Sequence, residues 1–272
     1  MNPGDFDYVR NFVRDQAAIV LEPGKEYLVE SRLQTLVRKE KLGSLDELIS
    51  RLRADPKNGL HRKVLDAMTT NETLFFRDVH PFEALRKSIL PELMARRAKE
   101  RQLRFWCGAA STGQEPYSVL MLIAEHFPEL LGWDFTFVAT DLCSEVLARA
   151  RSGRFNQLEV NRGLPASLLA KYFVPQGAEW EFREALRRRV EFRELNLVKA
   201  WPWLPGLDLV FLRNVMIYFD VQAKKAILAN VRRLLRPGGY LLLGGAETTF
   251  NVDDAFERVA FDKTSCYRVK PA

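Results

Sequence analysis

Chemistry in this chain is suggested first by Phe105-Trp106-Cys107-Gly108-Ala109-Ala110-Ser111-Thr112-Gly113-Gln114-Glu115-Pro116-Tyr117, which joins an apolar strand to a helix. Gly108 and Gly113 permit backbone torsions that side chains forbid. Ala109, Ala110 and Ser111 leave the main chain open to close approach, and Pro116 suits the first turn of a helix. The next apolar strand, Phe135 to Thr140, delivers Asp141 to the carboxyl edge of a parallel sheet, where an acid can accept from two ribose hydroxyls.

The turn matches neither G-x-G-x-x-G nor the phosphate-binding loop, because Thr112-Gly113 is followed by Gln114 and not by Lys. A di- or triphosphate ligand is therefore disfavoured. A nucleoside cofactor without phosphates fits better, and S-adenosylmethionine is the common one. The same turn would also serve a ligand-free α/β domain, and the turn alone does not choose between the two.

Other chemistries find little support. Cys107, Cys143 and Cys266 are odd in number and far apart, so neither a disulfide framework nor a zinc site is expected, and they read as reduced, packed thiols. Cys107 lies at the mouth of the proposed site, but no His stands in an arrangement that would activate it. His61, His80 and His126 have no metal-ligand spacing, so no metal is expected. The net charge of +6 points toward an acidic partner, yet the basic residues are dispersed among acids, as in Arg183-Glu184-Ala185-Leu186-Arg187-Arg188-Arg189. Nucleic acid is thus a minor alternative. No apolar run approaches the roughly 18 residues of a membrane span, and MNPGDFDYVR is not a leader, so no stable membrane insertion and a cytoplasmic location are expected.

The elements that must position these residues follow from periodicity. The first 80 or so residues read as a helical bundle. Ile19, Val20 and Leu21 precede a break at Glu22-Pro23-Gly24, and Tyr27, Leu28, Leu33, Leu36 and Val37 recur at helical spacing up to about Gly43. Ser44 and Glu47 form a capping-box pattern ahead of a third helix, Asp55 to Gly59 breaks it, and a fourth runs from Leu60 to about Thr69. From about residue 101, strands and helices alternate. Strands are expected at Leu103–Cys107, Phe135–Thr140, Val190–Leu195, Leu207–Leu212 and Tyr240–Leu243, with helices at Pro116–His126, Ser144–Ser152 and about Val221–Leu235, the last ending at Pro237-Gly238-Gly239. This predicts a parallel sheet with helices on both faces. Two terminal strands, around 256–260 and 265–269, would pair antiparallel at its edge. Residues 153–189 are more than a crossover needs and suggest a small inserted subdomain. The expected domains are therefore 1–80, helical, and 81–272, cofactor-binding, with 153–189 inserted.

With these pieces in place the chain resembles the CheR-type chemotaxis receptor methyltransferases, which are S-adenosylmethionine-dependent protein-glutamate O-methyltransferases. The resemblance rests on Thr69-Thr70-Asn71-Glu72-Thr73-Leu74-Phe75-Phe76-Arg77-Asp78, Ala109 to Ser118, Ala139-Thr140-Asp141, Asn196-Leu197, and Arg213-Asn214-Val215-Met216-Ile217-Tyr218-Phe219. It implies a class I, Rossmann-like methyltransferase sheet with an N-terminal helical domain and a small inserted β-subdomain. It further implies that Asn71, Thr73 and Arg77 close over the cofactor from the interdomain segment, with Gly108, Glu115, Asp141, Asn196, Leu197, Arg213 and Asn214 lining it from the sheet. Arg77 and Tyr218 would lie near the transferring methyl, and S-adenosylhomocysteine would be the product. Taken singly, Arg77 and Arg213 also suit interdomain ion pairs, Tyr218 a core aromatic, and Asn71 a helix cap.

The partner so implied is a chemoreceptor cytoplasmic domain. The basic second helix, through Arg32, Arg38 and Lys39, could dock an acidic receptor helix or simply be a solvated face. Members that tether to a C-terminal receptor pentapeptide have a longer, glycine-richer loop than Val174-Pro175-Gln176-Gly177-Ala178-Glu179-Trp180, which argues against tethering here. A methyltransferase acting on another substrate, or a silent cofactor-binding module, would share the cofactor residues; the silent module would lose Arg77 or Tyr218, and both are present.

Overall fold

The computed structural model describes residues 1–55, 59–201, 206–261 and 263–271. Its contacts divide the chain into two compact units, Met1–Thr70 with Tyr218–Ala223, and Asn71–Ile217 with Lys224–Ala272. Residues 71–80, assigned to the helical domain from sequence, group with the larger unit.

The smaller unit is built on α1 (Pro3–Ala17), α2 (Glu26–Lys39), α3 (Leu45–Ala54) and α4 (Leu60–Met68). Asn2 caps α1 by accepting from Asp5 N at 2.8 Å. Ser44 caps α3 by accepting from Glu47 N at 3.1 Å, while Glu47 accepts from Gly43 N at 2.7 Å, so the reciprocal half of the capping box lands one residue early. The apolar stripes are buried: Val9 and Val13 of α1, Val29, Leu33 and Val37 of α2, Leu48 and Ile49 of α3, Val64 and Met68 of α4. Helix α1 stops at Ala17 because Ala18 adopts a left-handed φ of 52°. Ile19 then forms an antiparallel bridge with Phe219, and Val20 N donates to Tyr218 O. The expected break at Asp55 to Gly59 includes residues 56–58, which lie outside the described residues.

The larger unit opens with α5 (His80–Ala84), a π-helical stretch (Leu85–Ile89) and α6 (Leu90–Arg96). Sequence periodicity did not reveal this helix, whose ladder is disturbed near Pro91, a residue without a backbone donor. There follow β1 (Gln102–Gly108), α7 (Gln114–His126), β2 (Asp134–Asp141), α8 (Ser144–Ser152), β3 (Arg154–Asn156), α9 (Gln157–Asn161), α10 (Ala166–Tyr172), β4 (Phe173–Gln176), β5 (Glu179–Phe182), α11 (Glu184–Arg187), β6 (Val190–Glu194), β7 (Leu207–Leu212), α12 (Val221–Leu234), β8 (Leu235–Leu243), β9 (Phe256–Phe261) and β10 (Thr264–Val269).

The main sheet has the order β6-β2-β1-β7-β8-β10-β9, parallel from β6 to β8, with β10 antiparallel to both of its neighbours. The chain leaves β1 toward β2 and returns on its other side as β7, so the switch point lies between β1 and β7. Strand β8 begins at Leu235, earlier than expected, and the Pro237-Gly238 kink is a bulge within it: Leu207 pairs with Leu235 but Leu209 with Tyr240, and Gly238 has a φ of 77°. Residues 154–182 include a second, three-stranded sheet, β3-β5-β4, closed by a two-residue hairpin at Gly177-Ala178. Phe155, Phe173 and Phe182 of that sheet pack edge-on with Phe75 and Tyr117 into the core.

Candidate functional site

The ends of β1, β2, β6 and β7 meet at one edge of the sheet. After β1, the turn into α7 places Ala109, Ser111 and Gly113 at positive φ (57°, 51° and 94°). Two of these are not glycine, and such strain collects where a backbone must be held open. Gly108 itself is not left-handed, so the torsional reason expected for it does not apply. It is required by packing instead, since a Cβ there would lie 2.9 Å from Leu212 Cδ1 and 3.0 Å from the Trp106 ring. Gly113 satisfies both reasons.

Asp141 ends β2 and is 7 % exposed. It accepts from Ser111 N at 2.8 Å and from Cys143 N at 2.9 Å, one bond to each carboxylate oxygen, which pins the strand end to the turn. Its carbonyl accepts from Leu195 N at 3.0 Å, bringing the end of β6 alongside. Asn196 follows directly, its side-chain oxygen turned back to accept from Val198 N. Leu197 is buried, and its carbonyl accepts from Trp201 Nε1 at 2.9 Å.

Arg213, after β7, is a buried cation. It pairs through Nη1 with Glu115 and through Nη2 with Asp78 at 2.9 Å, and Nη2 also donates to the Arg77 carbonyl. The ion-pair reading of Arg213 is thus realised within the larger unit. Glu115 accepts in addition from the Cys107 thiol at 3.3 Å. Burial, reinforced by Glu115, pushes the Cys107 thiol well above its ordinary range, so it stays protonated and unsuited to nucleophilic attack.

The 71–79 segment is fastened to the same edge. Asn71 O accepts from Ser111 Oγ at 2.7 Å, Glu72 pairs with Arg162, Phe75 is fully buried, and Phe76 N donates to Ser118 Oγ at 3.0 Å. Thr73 is half-buried within this stretch. Phe76, Asp78 and Val79 all have positive φ (49°, 68° and 50°). For a β-branched residue such as Val79 that is a true outlier. The half-buried Arg77 donates to Glu72 O at 3.2 Å, which uses one of the five donors on its fork.

The structure therefore gathers Asn71, Thr73, Arg77, Gly108, Glu115, Asp141, Asn196, Leu197, Arg213 and Asn214 in one unit. Tyr218 groups with the smaller one, as do Arg32, Arg38 and Lys39. Arg32 is turned inward: it donates to the carbonyls of Met68 (2.6 Å) and Thr69 (3.2 Å) and to Thr70 Oγ1 (2.8 Å), holding the C-terminal end of α4. Burial lowers its pKa, while Tyr218 pulls it the other way. Arg38 and Lys39 are exposed. Sequence reasoning missed Glu247, whose carboxylate gathers the amides around Asn214. The one hint of it is an acid shortly after the Gly244-Gly245 that follows β8.

The residues fit a nucleoside cofactor. Bare backbone at Ala109–Ser111, the Asp141 carboxylate at the end of β2, and a buried Arg213 whose Nε has no acceptor among the described residues line one edge. Fold and site together define a Rossmann-like domain of the S-adenosylmethionine-dependent methyltransferase class. Residues 71–265 match the family described as CheR methyltransferase, SAM binding domain, and residues 4–69 match CheR methyltransferase, all-alpha domain. The chain is 42 % identical over 270 residues to the Chemotaxis protein methyltransferase Cher2 of Pseudomonas putida, and 43 % identical over 270 residues to the Chemotaxis protein methyltransferase 1 of Pseudomonas aeruginosa, covering 98 % of each chain in both comparisons. It is 38 % identical over 263 residues to the Chemotaxis protein methyltransferase of Vibrio parahaemolyticus, covering 95 % of this chain and 94 % of that one. The chain belongs to the CheR methyltransferase family, and S-adenosylmethionine is its cofactor.

Proposed function

We propose that the protein methylates glutamate side chains on the cytoplasmic helices of chemoreceptors, forming glutamate methyl esters in sensory adaptation. The observation that carries this reading is the cofactor edge, with its strained turn and Asp141, in a chain that matches named chemotaxis protein methyltransferases over nearly its whole length.

When bound, S-adenosylmethionine supplies a methyl group on a sulfonium, which a carboxylate oxygen can take by in-line attack with the neutral thioether of S-adenosylhomocysteine as the leaving group. A glutamate substrate, with a reference pKa of about 4.3, is already an anion at neutral pH, so this chain needs no general base. What its residues contribute is position. Asp141 holds the ribose end. The strained 109–113 turn lets the ligand lie against main chain. Arg77, with a planar fork on a segment fastened at both ends, holds a carboxylate, either the substrate's or the cofactor's own. Tyr218 steers a substrate oxygen through its hydroxyl. Arg38 and Lys39 dock the receptor electrostatically, and the tight Gly177-Ala178 hairpin favours docking without a pentapeptide tether.

The test is incubation with radiolabelled cofactor and receptor cytoplasmic domains. Base-labile methyl ester on the receptor is expected, and label that survives base would exclude a carboxyl product. Tyr218→Phe and Arg77→Ala should each lower turnover more than cofactor affinity, since alignment matters most as the transition state forms. Wild-type turnover in Tyr218→Phe would leave that residue a packing role only.

A further inference from the structure

The stretch after β7 adopts a shape that its own sequence does not dictate. Asn214 is left-handed (φ 57°), and Asn214 to Ile217 lie outside any strand or α-helix, with Met216–Tyr218 forming a single 3-10 turn. Three of their four amides, those of Asn214, Val215 and Ile217, are satisfied by one distant side chain. Glu247 Oε2 accepts from Asn214 N at 2.8 Å and from Gly244 N at 2.6 Å. Its Oε1 accepts from Val215 N at 2.9 Å and from Ile217 N at 3.3 Å. Glu247 is 6 % exposed and makes no ion pair among the described residues.

One carboxylate thus collects four main-chain donors from two loops that leave neighbouring strands. An ionised carboxylate suits this task because it only accepts and has about four lone-pair positions. Its placement also excludes any side chain at residue 244, where a Cβ would lie 2.7 Å from Glu247 Oε2, 2.8 Å from Asn214 Nδ2 and 2.9 Å from Asn214 N. Gly244 and Glu247 are therefore one device.

We propose that Glu247 is a positioning residue for methyl transfer: by fixing the backbone of Asn214 to Ile217 it sets the placement of Asn214 toward the cofactor and of the chain that runs into Tyr218. The proposal rests on the reading that Asn214 lines the cofactor site. A residue that only stabilised the fold would lower the melting temperature and leave the affinity of the folded protein untouched.

The experiment compares the full chain with Glu247→Gln, Gly244→Ala and Asp141→Ala. Affinity for S-adenosylhomocysteine is measured by calorimetry well below the melting transition, and hydrogen exchange of residues 213–217 is followed without cofactor. In Glu247→Gln either amide orientation sets an NH2 group against two main-chain donors. The expected result is an affinity roughly tenfold weaker, with faster exchange at Asn214 to Ile217. Gly244→Ala, which displaces the carboxylate without removing its charge, should reproduce both effects, and it decides the matter if Glu247→Gln does not fold. Unchanged affinity in the Glu247 and Gly244 variants, alongside a weakened Asp141→Ala, overturns the positioning role alone. Unchanged affinity in Asp141→Ala as well overturns the cofactor-site reading on which it depends.

Discussion

At the scale of single residues, Asp141 carries one observed task and one proposed one. Its two carboxylate oxygens accept from the amides of Ser111 and Cys143, which pins the strand end to the turn, and the proposed second task is to accept from the ribose hydroxyls of the cofactor. Asp141→Ala should weaken S-adenosylmethionine binding by about 1.5–3 kcal/mol, or roughly 10- to 150-fold, as read by calorimetry. Unchanged affinity would remove the ribose role. The cysteines permit a sharper test. Cys107 is raised far above its ordinary value by burial and Glu115, and Cys266 is pushed up to about 12 by burial. Because both are raised on folding, their contribution is intact below the unfolded thiol pKa of about 8.5 and is lost as pH rises above it. Unfolding free energy measured in urea with reductant should therefore fall between about pH 9 and 11, at up to about 1.4 kcal/mol per pH unit for each such thiol. Cys107→Ala should make that slope shallower, and an identical slope would mean the thiol ionises as readily folded as unfolded. Asp141 was legible in the sequence because it closes a strand at a fixed distance from a turn. Glu247 was not, because three of its four main-chain partners are amides 30 to 33 residues away, and amides leave no mark on residue type.

At the scale of elements, periodicity located the helices of the smaller unit and the parallel strands, whose apolar runs are continuous because both faces are covered. It failed where local rules compete. The π-helical stretch at Leu85–Ile89 breaks the 3.6-residue period, and a strand that starts with Leu235-Arg236-Pro237-Gly238 reads as a helix end. The second helix illustrates a subtler loss. Its cations were visible, but not that Arg32 is spent on the carbonyls at the end of α4. The 71–79 segment owes its path to a glycine outside it. Gly163 has a φ of 83°, and a Cβ there would run into the Phe75 carbonyl oxygen. Gly163→Ala should cost roughly 1–3 kcal/mol of stability in urea unfolding and shift Asn71 to Arg77 enough to weaken cofactor binding. A wild-type midpoint and affinity would show that the segment is held without help from residue 163.

At the scale of the whole molecule, the surplus of six positive charges has to be placed before it can be given a role. Many of the arginines are already committed: Arg149 to Glu159, Arg154 and Arg187 to Glu181, Arg188 to Glu184, Arg193 to Glu191, and Arg97 with Arg236 to the buried Asp208. Such pairs contribute little to a long-range field. Arg38 and Lys39, exposed at the C-terminal end of α2, are the cations on which the proposed receptor docking rests. Contacts of that kind are screened, so receptor methylation should weaken as salt brings the Debye length below about 8 Å. Arg38→Glu should raise the Michaelis constant for receptor while calorimetry shows cofactor binding intact. Arg32→Glu should instead lower stability as well, because it strips the end of α4 of its donors, and that difference separates a docking cation from a structural one. Deleting the receptor's C-terminal tail should matter little, since a two-residue turn at Gly177-Ala178 leaves β4 and β5 no extended loop with which to hold a peptide. Loss of methylation on tail deletion, with no effect of Arg38→Glu, would move the docking surface from α2 to the three-stranded sheet.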